Sequence, residues 1–564
     1  MSARIAVALV AVLSLGQATP PLADVILHSG RVVTVDQAFS IAEAVAIANG
    51  RVTAVGGTAT IRRFATRSTR MIDLAGRTVV PGFIDNHLHS AGGGPGVDLS
   101  RARSIDDVLR AVFARIERTE AGGILVSNGD WHEAQLKEQR LPLRDDLDQV
   151  SKSHPVVLVR GGHEYVVNSA ALARWKIDER TAQPVGGRIS RYPDGRLNGE
   201  LVDAAKGLIE LPAPPPRSAT QRMGERLADY EKLHAVGLTT VRHPGVSIDD
   251  YRALQEMHRR GALSMRVHVL LRPSGARATM QRALDESGIR VDEGNEWLRV
   301  SGIKLAVDGG FEGGLMREPY QPPFDEGGTF KGLQTVEPAS FEQTVKALNL
   351  KGWRVATHAV GDAAIDRVLD AYEAAHRERS IVGRRWAIEH AFIGRPDHLP
   401  RLKKLDVAIA AQNHLYLAGP SLVKYWGPQR AALTTPLRTY LDAGLLVSSG
   451  TDAPVVPYPP LWTIYHFVTR DTMTGGVMGI EERITRQEAL RLSTINNARL
   501  MFEESIKGSI ETGKVADLVV LSEDILTSSE ARIRDAEVVM TMVGGRIVYS
   551  RGGWPPAPAV KGRR

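Results

Sequence analysis

The chain has 564 residues, 43% of them apolar and 24% charged, with a formal net charge of +7. That length suits one large domain with smaller additions, and the composition is that of a folded globular protein. There is no cysteine, which excludes thiol catalysis, disulfides, cysteine-ligated zinc and a lipoprotein anchor. Lysines and arginines are scattered, and the densest cluster is Lys561, Arg563 and Arg564; without a basic stripe, nucleic acid is not an expected partner.

At the N-terminus, Arg4 precedes an apolar run from Ile5 to Leu15, followed by small residues and prolines up to Ala23. This pattern reads as a secretory signal over residues 1–23, cleaved after Ala18 or Ala23. The run is shorter than the roughly 20 residues of a membrane span, so no stable membrane anchor is expected and the location is periplasmic or secreted. Residues 24–78 then hold short β-prone runs, Val25–Leu27, Val32–Val35, Ala44–Ala48 and Val52–Val55, with Ser29-Gly30 and Asn49-Gly50 as hairpin turns. Residues 505–555 repeat this texture in Asp517–Leu521, Val538–Val543 and Ile547–Tyr549, with Gly544-Gly545 as a turn. Two β-rich ends around a different middle predict one small β-sandwich built from both, followed by a basic tail, 556–564.

The middle, 79–504, alternates strands and helices. Eight strand candidates are Thr78–Ile84, Leu238–Val241, Arg266–Leu271, Val300–Val307, Arg354–Thr357, Trp386–Ile388, Val407–Ala410 and Leu445–Ser448. Eight parallel strands with intervening helices predict an α/β fold, a (β/α)₈ TIM-type barrel. The gap after the first strand, about 92–235, is long enough for an inserted subdomain over the barrel mouth, where active-site loops lie.

Five barrel strands end in metal-ligand residue types. The first ends in His87-Leu88-His89, two imidazoles on one face of a strand. The fourth carries Lys304 in an apolar stretch, where burial disfavours its charge. A neutral amine there can capture carbon dioxide as a bridging carbamate; the plainer alternative is a lysine paired with Asp308 or lying at the barrel rim. His358, His390 and Asp452 end the fifth, sixth and eighth. A single such histidine is commonly structural, but in a barrel these five ends converge on one mouth.

This set resembles the binuclear metal-dependent amidohydrolase superfamily. The phrases Pro81–His89, Lys304–Gly309, His358–Asp362, Glu389-His390, Asp452-Ala453-Pro454, Asn497-Ala498, Gly513–Val519 and His163–Leu172 are similar to its branch of N-substituted formamide deformylases and related long-chain amidohydrolases. The resemblance implies His87, His89 and Asp452 on one metal, His358 and His390 on the other, and carboxylated Lys304 between them, with zinc the expected ion. It implies hydrolysis of an amide-type, N-acyl or N-formyl C–N bond in a small molecule by a metal-bound hydroxide, with Asp452 moving the proton to the leaving nitrogen. An ester, lactone or carbamate hydrolase on the same site, or a catalytically silent binding protein, are the alternatives. The Val241-Arg242-His243-Pro244-Gly245 exit and His163-Glu164 depart from the branch on the substrate side.

His163 and Asn168 are placed near substrate by the resemblance. Trp131 and Asp308 either line the pocket or are structural, as are His414 and Tyr416. Trp131, Tyr165, Phe311, Tyr320 and Phe324 are candidate apolar walls. Arg160, Arg242 or Arg317 could hold a substrate carboxylate. Nothing in the residues speaks to oligomeric state.

Overall fold

The computed structural model describes residues 22–213, 216–273, 275 and 277–555. Most of the expected signal, up to residue 21, and the tail 556–564 lie outside the described residues. Ala23 is buried at the start of the first strand, Ala23–His28.

Eight parallel strands form the barrel sheet: Phe83–Asp85, Leu238–Val246, Arg266–Leu271, Leu298–Ala306, Val355–Ala359, Ala387–His390, Ala408–Gln412 and Val447–Gly450. The last returns to the first, where the Asn86 amide donates to the Ser449 carbonyl at 3.1 Å. The strands are buried on both faces along most of their length, as parallel strands under helices must be. The helix Asp362–Glu378 shows how the outer layer forms. Ile365, Val368, Leu369 and Tyr372 recur at helical spacing and are all buried, while charged residues face outward. Each fully buried aliphatic side chain contributes roughly 1.5–3 kcal/mol. Asp362 sits in the first turn and His376 and Arg377 in the last, complementing the helix dipole.

The expected first strand, Thr78–Ile84, divides at Gly82. Thr78–Pro81 pairs with Arg31–Val33 and Leu518–Leu521 in a separate six-stranded sheet, and Phe83–Asp85 begins the barrel. A Cβ on Gly82 would stand 2.3 Å from Thr239 Oγ1, so the switch needs glycine. Opposite the six-stranded sheet lies a four-stranded one, and the two share a core of Leu27, Val45, Ile47, Val79, Leu518 and Met540. Asn49-Gly50 is a tight hairpin turn with φ of 52° and 73°. Ser29-Gly30 is not a hairpin: the strands on either side of it belong to different sheets.

Between the first two barrel strands, the insertion forms a five-stranded sheet in the order Gly187–Arg191, Leu197–Asp203, Glu164–Val167, Val156–Arg160, Leu125–Val126. It has its own apolar clusters. The helix Ala219–His234, inside the span expected for the insertion, instead packs Tyr230 and Leu233 into the barrel core. Among the described residues no helix is long and apolar enough to cross a membrane.

Candidate metal centre

The strand ends bring His87, His89, Lys304, His358, His390 and Asp452 to the wall of one cavity of about 570 Å³. Single donor atoms of His87, His390 and Asp452 lie within 4.8 Å of one another. His87 and His89 approach Asp452 Oδ1 through their Nε2 atoms, at 3.3 Å and 3.1 Å. The His390 ring lies 4.8 Å from that of His87 and 4.5 Å from that of His358, centroid to centroid.

Three of the four rings, those of His87, His390 and His358, are aimed by their other nitrogen. His87 Nδ1 meets the buried Glu389 carboxylate, which Arg242 holds from the other side at 2.7 Å. His390 Nδ1 pairs with Gln412 Oε1 at 2.7 Å, and His358 Nε2 with the Gly309 carbonyl at 3.1 Å. Fixing one ring nitrogen so that the other faces inward is how proteins prepare imidazole ligands. Burial, and then neighbouring cationic groups, hold His358 and His390 well below the usual histidine range, so both are neutral, the ligating form. Burial pushes the Asp452 carboxyl up, but the charge of His87 and hydrogen bonds from His414, His87 and His89 outweigh it and hold it well below the carboxylate range. His390 and Asp452 have φ of 72° and 62°. Such backbone in a non-glycine residue costs about 1–3 kcal/mol and persists where the surroundings over-determine it.

Lys304 is buried, and its Nζ has no hydrogen-bond partner among the described residues. Burial lowers its pKa to about 8, even against the opposing pull of Glu389 and Asp452. It does not pair with Asp308, whose carboxylate accepts from the backbone amides of Leu315, Val360 and Gly361 at 2.9–3.1 Å. Burial pushes that carboxyl up to about 7. Asp308 therefore ties down the loop after strand four while bordering the cavity. An orphaned amine beside imidazoles, with His358 and His390 held neutral, and one carboxylate fits a group of divalent cations; the donor set is nitrogen and oxygen, as zinc accepts.

From the insertion, His163 enters the same cavity. Its Nδ1 lies 2.6 Å from Asp203 Oδ1, and its ring is 5.4 Å from that of His358. Burial lowers the His163 pKa, but Asp203 more than offsets this and raises it. Asp203, with φ 46° and ψ −113°, is strained, and nothing in its surrounding sequence, Glu200-Leu201-Val202-Asp203, singles it out. Gln412 and Arg242 were likewise not expected as orienting groups. His414 reaches Asp452 Oδ2 at 3.1 Å, whereas Tyr416 packs in the barrel core.

Two expected substrate contacts lie elsewhere. Asn168 caps the helix Ser169–Arg174: its Oδ1 accepts from Val156 and Ala171 amides, and its Nδ2 donates to Ser151 and His154 carbonyls, leaving no valence for a ligand. Trp131 is buried in the insertion core, with Nε1 donating to the Val159 carbonyl at 2.7 Å. Of the other aromatics, Phe311 lines a small inner recess with His163, His358, His390 and Asp452. Tyr320 donates to backbone carbonyls in a separate apolar cluster, and Phe324 packs against that cluster. Tyr165 packs against the second apolar cluster of the insertion. The three arginines expected to offer a carboxylate site are committed: Arg160 to Glu133 and Glu312, Arg242 to Glu389, Arg317 to Asp366 and Asp397. A larger groove of about 720 Å³, lined by Arg188, Glu200, Phe324 and Tyr425, holds none of the metal donors.

A family model described as "Amidohydrolase family" matches residues 70–549. The chain is 32% identical to the N-substituted formamide deformylase of Arthrobacter pascens over 94% of its own length and 99% of that protein's. It is 28% identical to the putative amidohydrolase YtcJ of Bacillus subtilis, over 93% and 99%. An uncharacterized metal-dependent hydrolase from Pyrococcus horikoshii superposes with a TM-score of 0.65 at 24% identity, over 90% of this chain and 99% of that one, and so shares the fold. The chain thus belongs to the amidohydrolase family and is a hydrolase acting on carbon–nitrogen bonds.

Proposed function

We propose that the protein hydrolyses the amide bond of a small N-acyl or N-formyl compound, neutral or weakly anionic, at a centre of two zinc ions. His87, His89 and Asp452 would hold one ion and His358 and His390 the other, with Lys304, as its carbamate, contributing a ligand to the pair. The observation that carries this reading is the buried, partnerless Lys304 amine among imidazoles already aimed by Glu389, Gln412 and Gly309. When bound, such ions supply water acidified from a pKa of about 15.7 towards about 7, and polarise a carbonyl.

The chain's own residues do the rest. Asp452 receives a proton from the attacking water and returns it to the leaving nitrogen, so the amide yields an acid and an amine with no proton lost. His414 holds that carboxylate in place through Oδ2. His163, fixed by Asp203, borders the substrate from the insertion side. The Arthrobacter relative's name, a deformylase of N-substituted formamides, supports the choice of acyl half.

Metal analysis of protein produced with added zinc tests the centre. About two divalent ions per chain are expected, with His390→Ala losing an ion and all turnover. A metal-free yet active protein refutes it.

A further inference from the structure

The three arginines that looked able to receive a substrate carboxylate are all in ion pairs. A fourth, which nothing in the residue pattern singled out, is not. Arg272 follows the end of barrel strand three, Arg266–Leu271, at the face where barrel active sites form. It lines the 570 Å³ cavity together with His89, Lys304, Asp308 and Asp452. Its side chain is exposed and has no hydrogen bond or ion pair among the described residues.

Its position is nonetheless held. The Arg272 amide donates to the Val246 carbonyl at 2.9 Å. Its aliphatic stem lies over Gly245, where an added Cβ would come within 3.7 Å of its Cδ. The neighbouring strand end, Pro244-Gly245, offers no acid. The neighbour on the other side is the strand that carries Lys304, and the Arg272 charge helps lower that amine's pKa.

The acids of the cavity wall are all engaged. Asp203 pairs through Oδ1 with His163, Asp308 accepts from three backbone amides, and Asp452 accepts from His414 and faces His87 and His89. Lys206, also on the wall, donates to the Gly162 carbonyl. A guanidinium beside a cluster of cation ligands, with no anion of its own, favours an anionic ligand. Its planar fork binds a carboxylate through two parallel hydrogen bonds.

We infer that the amine half of the substrate bears a carboxylate close to the scissile nitrogen, as in an N-acyl amino acid, and that Arg272 receives it. The inference rests on the amide-hydrolysis reading above and narrows it. It makes Arg272 a specificity-determining residue.

The test uses zinc-loaded full-length protein and two substrates that differ only in the carboxylate, N-acetylphenylalanine and N-acetyl-2-phenylethylamine, with their N-formyl counterparts. The parent should prefer the carboxylate at least tenfold in kcat/KM, and salt should erode the preference. Arg272→Met should lower kcat/KM for the carboxylate substrate at least tenfold more than for the neutral one, and Arg272→Lys should retain part of the preference. Thermal unfolding and metal content check that each variant is folded and loaded. No preference in the parent, or equal losses on both substrates in Arg272→Met, would overturn the assignment; equal losses would place the guanidinium in support of the metal centre. Cleavage of neither substrate would strike the amide reading itself. Calorimetric binding of N-methylsulfonylphenylalanine and N-(2-phenylethyl)methanesulfonamide then decides Arg272 separately. Tighter binding of the first by the parent, lost in Arg272→Met, supports it, and equal binding by the parent overturns it.

Discussion

Replacing Lys304 by methionine should have opposite effects on activity and on the stability of the metal-free fold. Methionine has similar volume and no charge, so it removes the amine without opening a cavity. Burial lowers the lysine pKa from 10.5 to about 8, and a shift of that size is about 3 kcal/mol of penalty on the charged form. Below pH 8 the amine is protonated in both folded and unfolded chains, so the folded state bears the full penalty. Between pH 8 and 10.5 the unfolded chain binds more protons than the folded one, and the parent gains stability as pH rises; above 10.5 the penalty is gone. After chelation, Lys304→Met should therefore unfold at higher temperature than the parent at pH 7, with the gap closing by pH 10.5. Zinc-loaded Lys304→Met should be inactive, and in Lys304→Ala short carboxylic acids should restore part of the turnover. A metal-free Lys304→Met protein no more stable than the parent at pH 7 would refute the claim that this lysine is held against its charge for function.

Two further outcomes follow from individual residues. Asn168→Ala should destabilise the fold by about 2 to 4 kcal/mol, because four backbone groups, three of them in buried hydrogen bonds, lose their partner, and KM should stay within twofold; a large KM change would return Asn168 to the substrate site. If the segment from Arg4 to Ala23 is a secretory signal, N-terminal sequencing of protein from its native host should start near Thr19 or Asp24, and an intact Met1 or Ser2 in the cytoplasmic fraction would refute export.

The barrel and the convergence of its donors were legible because each strand is a short apolar run ending in a ligand-type residue, and barrel geometry joins ends that are far apart in sequence. Strand one was harder. Thr78–Ile84 is a continuous apolar run, and only the close approach of Thr239 shows why Gly82 passes the chain from one sheet to another. Asn168-Ser169-Ala170-Ala171 is an ordinary helix start with asparagine in the capping position, a local signal that accounts for Asn168 without a ligand. Asp203 and Arg272 could not be found in advance, since each becomes meaningful only when the insertion or a neighbouring strand brings it to the cavity wall. The helix Ala219–His234 is mostly polar, so its sequence shows little of the core contacts of Tyr230 and Leu233 that tie it to the barrel.

The central claim, that this centre cleaves amide bonds, is tested most directly by comparing kcat/KM of the zinc-loaded protein on N-acyl amides with matched esters and lactones. The account predicts turnover of at least one amide at an efficiency that no matched ester or lactone exceeds tenfold. Esters or lactones hydrolysed at least tenfold more efficiently than every amide, a transition-state difference of about 1.4 kcal/mol, would contradict it.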